Sequence, residues 1–228
     1  IGAGGLVLAH RDAGARVDCV IMTDGRLGDA DGSHGDEYAE TRKRECRAAG
    51  ERLGGLEHRF LDFPDGGLVP ALADEGPTGP VARLHEIIAA GDHATIVFTS
   101  PWELHPDHRA TAIATLRAVA SAPAREERHL LAYEVGTFMP SNLLINTTDL
   151  FARKIEALRC YASQLEHHDL VAKLGGVDVA RTANVDDPSV THCEAYARVD
   201  ADRIEAFLAA VENAAQITDQ MAPGVPYA

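Results

Sequence analysis

Short apolar runs alternate along most of this chain with longer stretches whose apolar residues recur three or four positions apart. Val17–Thr23, His58–Asp62 and Ala94–Thr99 are β-branched or apolar runs of strand length. Helices are expected over 1–15 (Leu6, Val7, Ala9 and Ala13 apolar, Gly14 near its stop), 36–53 (ended by Gly54-Gly55), 79–90 and 106–116. Asp24-Gly25 opens a Gly/Asp-rich loop to about Gly35, and Phe63-Pro-Asp-Gly-Gly67 has turn chemistry. Strand, loop and helix in regular succession predict the α/β class, with a Rossmann-like, doubly wound, mostly parallel sheet and helices on both faces.

The pattern changes after Pro123. His129–Val135 and Leu143–Asn146 read as strands, and Asp149 as the cap of a helix through about Leu165. Val171 to Pro188 has no clear period. Cys193–Val199 reads as an edge strand, Ala201–Val211 as a last helix, and Met221–Ala228 as an irregular tail. No repeat or linker divides the chain, so one domain over 1–228 is expected. A doubly wound sheet opens with a strand, whereas this chain opens with a helix headed by Gly2, Gly4 and Gly5. A strand and loop are therefore expected before Ile1.

Composition narrows the function classes. With 46% hydrophobic and 25% charged residues the chain has the balance of a soluble globular protein. A net charge of −14 argues against nucleic acid or an anionic membrane as partner, since both require a basic surface. No signal peptide or membrane span is visible, and a cytoplasmic location is expected. Cys19, Cys46, Cys160 and Cys193 are widely spaced, without a C-x-x-C pair, and read as free thiols.

The strongest chemical signal is His105-Pro-Asp-His108. It follows the Ala94–Thr99 strand and a short loop, and Pro106 suits the first turn of the next helix. Two imidazoles and a carboxylate thus stand at the carboxyl end of a strand, where open α/β sheets place ligands. A neutral imidazole there can hold a metal, and one paired with a carboxylate can handle a proton or an anionic intermediate. A helix-capping histidine, a loop histidine and a first-turn acid are the plain structural alternatives for the same residues. His167-His168-Asp169 is a weaker candidate: neighbouring helical residues point about 100° apart, so a polar helix end is the better reading. Asp29-Ala-Asp31-Gly-Ser resembles part of a calcium loop but lacks the later acidic ligand. It reads as a mobile loop.

Taken in order, several segments resemble the PIG-L/LmbE-like family of zinc-dependent N-acetyl-sugar deacetylases. They are Gly2–Gly5, Thr23-Asp-Gly25, Arg42-Lys-Arg-Glu45, Phe60–Gly67, His105–His108, Tyr133-Glu134, Lys154 with Ala157, Tyr161–Gln164 and Glu194-Ala195. The resemblance implies that His108 is a metal ligand, alongside a His and an Asp of the family's first motif, expected before Ile1. That motif would also supply the general base. It implies that His105 stabilises the tetrahedral oxyanion, with Asp107 bonding its ring and favouring the protonated form. Arg42 and Asp65 match the positions of sugar contacts, and Asp24 lines the same crevice. Zn²⁺ is the implied cofactor, with another divalent ion as the alternative. The implied partner is a small amino-sugar or glycoconjugate substrate; a homo-oligomer is left open. The expected reaction is hydrolysis of an N-acetyl or other N-acyl group by a zinc-activated water. Two other readings stay open: a deacylase of a larger N-acyl conjugate (thiol adduct, lipid or glycopeptide), and a non-catalytic sugar-binding protein on this fold.

Overall fold

The computed structural model describes residues 2–29, 32, 34–123, 125 and 127–221. In chain order the elements are α1 (Gly4–Asp12), β1 (Asp18–Thr23), α2 (Tyr38–Arg52), β2 (Glu57–Phe63), α3 (Leu68–Ala71), α4 (Pro80–Ala90), β3 (Thr95–Thr99) and α5 (Pro106–Ser121). There follow β4 (His129–Tyr133), β5 (Leu143–Asn146), α6 (Phe151–Leu158), α7 (Ala162–Leu165), α8 (Leu170–Ala180), β6 (Cys193–Val199) and α9 (Ile204–Met221). Contacts gather them into two compact units of two segments each. The first is Ile1–Asp65 with Leu144–Ala195; the second is Gly66–Leu143 with Tyr196–Ala228.

In the first unit β1 and β2 pair in parallel, from Asp18 opposite Glu57 to Ile21 opposite Phe60. The register then shifts, so that Thr23 faces Phe63. The irregularity centres on Asp62, whose φ of 56° is left-handed, a conformation Asp tolerates better than most residues. Leu8 of α1, Ala49 of α2, Leu53 at the end of that helix and Ala157 of α6 form a core cluster, with Val7, Leu56, Leu150, Cys160 and Tyr161 packed against it.

A buried ionic cluster supports this core. The Lys154 ammonium lies 2.7 Å from Asp178 and 2.8 Å from Glu194, and all three side chains are buried. Glu194 also accepts the main-chain N–H groups of Gly5 and Leu6, at 2.7 and 2.9 Å, which answers the orphan donors at the start of α1. Only glycine fits at position 5, because a Cβ there would stand 2.4 Å from the Thr147 methyl. Burial pushes the Asp178 carboxyl up to about 6, while Lys154 pulls it down.

In the second unit β3 and β4 pair in parallel, Thr95 opposite His129 through Thr99 opposite Tyr133. Residues 196–199 of β6 run antiparallel to β4, with Tyr196 opposite Tyr133. Helix α5 is the hub, touching α3, α4, α9 and β3. Ala110, Ala112, Ala114 and Ala118 are buried along it together with Ile113, Leu116 and Val119. A helix buried on so many sides has no single apolar stripe, and its alanines let neighbours approach closely.

The α/β class and the parallel pairs β1/β2 and β3/β4 match expectation. The strands form a two-stranded sheet and a mixed four-stranded one. β6 is not an edge strand: it lies between β4 and β5 in the strand order, and Cys193–Ala197 are all buried. The helix expected from Asp149 to Leu165 breaks at 159–161, and Asp149 sits inside a short 3-10 turn, Thr148–Leu150, rather than capping it. The unreadable 171–188 stretch contains α8, capped by the Asp169 carboxylate on the Ala172 N–H. The last helix is longer than expected, reaching Met221, and the tail beyond it lies outside the described residues. All four cysteines are free thiols. No helix among the described residues is long and apolar enough to cross a membrane.

Candidate active site

In the second unit the loop after β3 delivers the histidines. His105 takes extended backbone angles as the N-cap of α5, Pro106 begins the helix, and Asp107 adds a negative charge to its first turn. The Asp107 main-chain N–H donates to His105 Nδ1 at 3.2 Å. That bond requires a lone pair on Nδ1, so the ring proton of His105 sits on Nε2. The His108 N–H donates to the His105 carbonyl at 3.1 Å, and the Thr99 hydroxyl to the His108 carbonyl at 2.7 Å. The two imidazoles consequently stack, 4.8 Å between centroids and 29° apart in plane.

Two buried carboxylates brace this turn. Asp107 accepts the N–H groups of Gly66 at 2.7 Å and Leu68 at 3.1 Å. Gly66, at a φ of 77°, makes the turn that presents those amides. The contact between Asp107 and the His105 ring described above is through the Asp107 main chain, while its carboxylate anchors 66–68. Glu103 accepts from Val135 at 2.7 Å, from Gly136 at 3.2 and 3.1 Å, and from Thr137 at 3.3 Å. Its Oε2 lies 3.8 Å from His108 Nδ1. Burial alone would push the Glu103 carboxyl up, but His108 and these three amides outweigh it and hold it below the usual range. Arg109, also buried, donates to the carbonyls of Glu103 and Leu104 at 2.9 and 2.5 Å and fixes the loop from beneath.

The other expected site residues lie in the first unit. Asp24 follows β1 and is buried; its carboxylate accepts the N–H groups of Arg26 and Asp65, at 3.2 and 3.3 Å, and pairs with the Arg26 guanidinium at 2.7 Å. Asp65 in turn accepts the Leu27 N–H at 3.0 Å. These two acids interlock the loops after β1 and β2. Arg42 on α2 pairs with Glu45 at 3.1 Å and lies over the Tyr161 ring, 5.2 Å from its centroid. Glu45 also accepts the Ser163 N–H and hydroxyl, both at 2.8 Å. Gly25, at a φ of 69°, passes beside Arg42.

Thus the second unit gathers His105, Asp107 and His108, and the first gathers Asp24 and Asp65, with Arg42 beside the same loop. Glu103 joins these residues without having been singled out in the sequence. An acidic residue two positions before His105 was the signal available. As for a metal, the His108 Nδ1 is buried without a hydrogen-bond partner and faces Glu103, and Nε2 is the ring nitrogen on the side away from that carboxylate. His108 therefore suits a divalent ion as one ligand. Among the described residues no group of three His, Cys, Asp or Glu side chains forms a complete metal site.

Known proteins resemble this chain in sequence and in structure. The profile of the PIG-L family, described as GlcNAc-PI de-N-acetylase, matches residues 1–119. A diacetylchitobiose deacetylase of Thermococcus kodakarensis is 29% identical over 181 residues, 72% of this chain and 65% of that enzyme. The match thus spans just under two thirds of that enzyme's length. A probable N-acetyl-alpha-D-glucosaminyl L-malate deacetylase of Bacillus cereus is 28% identical over 78% of this chain and 84% of its own. In structure, the N,N'-diacetylchitobiose deacetylase of Pyrococcus horikoshii shares the fold. Its TM-score is 0.73 at 23% identity, over 89% of this chain and 79% of that one.

Proposed function

Since the chain belongs to the PIG-L family, we propose that it is a metal-dependent N-deacetylase of an amino sugar or small glycoconjugate. The observation that carries this reading is the stacked pair His105 and His108 at the start of α5, braced by two buried carboxylates. In the reaction water cleaves the acetamide C–N bond, giving a free amine and acetate.

His105 holds its proton on Nε2, where it can donate to the oxygen that becomes negative in the tetrahedral transition state. Asp107 keeps that ring in place through its main-chain N–H, and its carboxylate fixes the 66–68 turn. His108 would be one ligand of the ion. When bound, zinc or another divalent ion supplies carbonyl polarisation and activation of water. Arg42, Asp65 and Asp24 are assigned to sugar contacts. A guanidinium and carboxylates suit hydroxyls and, for Arg42, an anionic substituent.

The test is acetate release by protein expressed from its complete coding sequence. N-acetylglucosamine, N,N'-diacetylchitobiose and the N-acetylglucosaminyl conjugates of malate and inositol are offered in turn, with and without a chelator. Acetate from at least one sugar, abolished by chelation and restored by zinc, is expected. Chelator-resistant release would overturn the metal-dependent mechanism. Acetate from none of them, with binding retained, would favour the sugar-binding alternative.

A further inference from the structure

The His108 ring stands beside the buried Glu103 carboxylate, and one of its own nitrogens is unsatisfied. His108 Nδ1 is fully buried and lacks a hydrogen-bond partner. A buried ring nitrogen left unpaired loses its hydration without compensation, so it calls for a partner close by. The Glu103 Oε2, at 3.8 Å, is such an acceptor, beyond hydrogen-bonding distance by less than an ångström. Glu103 cannot drift away to water: it is buried, and the amides of Val135, Gly136 and Thr137 hold its carboxylate. Those amides donate, so the carboxylate has no proton to offer the ring. Only an Nδ1–H on His108 satisfies both sides.

We infer that Glu103 is a positioning residue that fixes His108 in the Nδ1–H tautomer, leaving the Nε2 lone pair for a ligand. His105 is fixed the opposite way, with Nδ1 accepting the Asp107 N–H and the proton on Nε2. The two stacked rings thus differ in role through their partners: one offers a donor, the other a lone pair. Glu103 also stands between the His108 ring and the amides of the 135–137 segment. The consequence for metal affinity rests on the reading of His108 as a ligand; the tautomer does not. A carboxylate behind a ligating imidazole orients the ring and raises its basicity, and its loss typically costs about 10–100-fold in affinity.

The test uses metal-free protein from the complete coding sequence, labelled with ¹⁵N-histidine, at about pH 8.5, above the ordinary imidazole range. Long-range ¹⁵N–¹H correlations distinguish the two tautomers, and the His108→Ala variant assigns the signal. The wild type is expected to show His108 with Nδ1 protonated. In Glu103→Gln the side-chain amide can donate to Nδ1, so the signal should move towards Nε2–H. Zinc affinity, by competition with a chromophoric chelator, should fall about 10–100-fold. An Nε2–H signal in the wild type, or an unmoved tautomer in the folded variant, would overturn the inference. If the variant does not fold, the wild-type spectrum still decides. A tautomer that moves as expected in a protein that binds no zinc would uphold the role of Glu103 and overturn His108 as a ligand.

Discussion

In the first unit the buried charges face one another: Lys154 sits between Asp178 and Glu194, and Glu194 also answers the open end of α1. In the second unit the buried acids Glu103 and Asp107 face main-chain amides and imidazoles on loops. The first arrangement joins helices to a strand. The second holds the stacked rings of His105 and His108 at the start of α5. Burial of charge does not by itself mark a site; what the charge holds in place does.

That contrast can be broken at either end. Lys154→Met leaves two buried acids without their cation and should cost about 3–5 kcal/mol of stability in denaturant unfolding. A loss within 0.5 kcal/mol, roughly the size of a neutral surface change, would mean that the cluster is not structural. His105→Asn keeps a good N-cap for α5 but removes the imidazole. It should leave the melting curve almost unchanged while lowering kcat about 10²–10³-fold, the worth of one oxyanion donor. Equal losses in stability and rate would erase the distinction between the units.

The ionic cluster also has a pH signature. Burial pushes the Asp178 carboxyl up from the ordinary aspartate range to about 6, so the native state holds its proton more tightly. Its contribution to stability is full below about pH 4 and is lost as pH rises through about 6. The stability difference between wild type and Asp178→Asn should therefore shrink over that window by about 2–3 kcal/mol, and a pH-independent difference would contradict the burial of this acid. The smallest effect is expected at Asp107→Asn, which exchanges one amide acceptor for a donor. A loss of about 1–2 kcal/mol is expected, with faster hydrogen exchange at Gly66 and Leu68. Unchanged exchange there would show that the carboxylate does not hold the turn.

The parts legible in the sequence were those written in neighbouring residues. Ala94–Thr99 followed by His-Pro-Asp-His announced β3 and α5, because strand pattern, capping residue and helix-starting proline all lie within fifteen positions. What stayed hidden depends on partners far away in the chain. Nothing near Asp107 says that its carboxylate will meet the amides of Gly66 and Leu68. The break after α6 carries no glycine or proline; Cys160 and Tyr161 leave the helix to pack on the α1/α2 core. In α8 two glycines obscured the helical period, yet Gly175 is where the Phe151 ring approaches, 3.1 Å from where a Cβ would stand. β6 looked like an edge because its polar residues alternate with apolar ones, but Glu194 and Tyr196 are buried.

The most direct test of the second unit as the reacting centre is the metal content of protein expressed from its complete coding sequence, measured beside His108→Ala. About one divalent ion per chain in the wild type, lost from a variant that still melts cooperatively, is the predicted result. An ion retained without His108, or a folded wild type that takes up none when offered zinc, would contradict it.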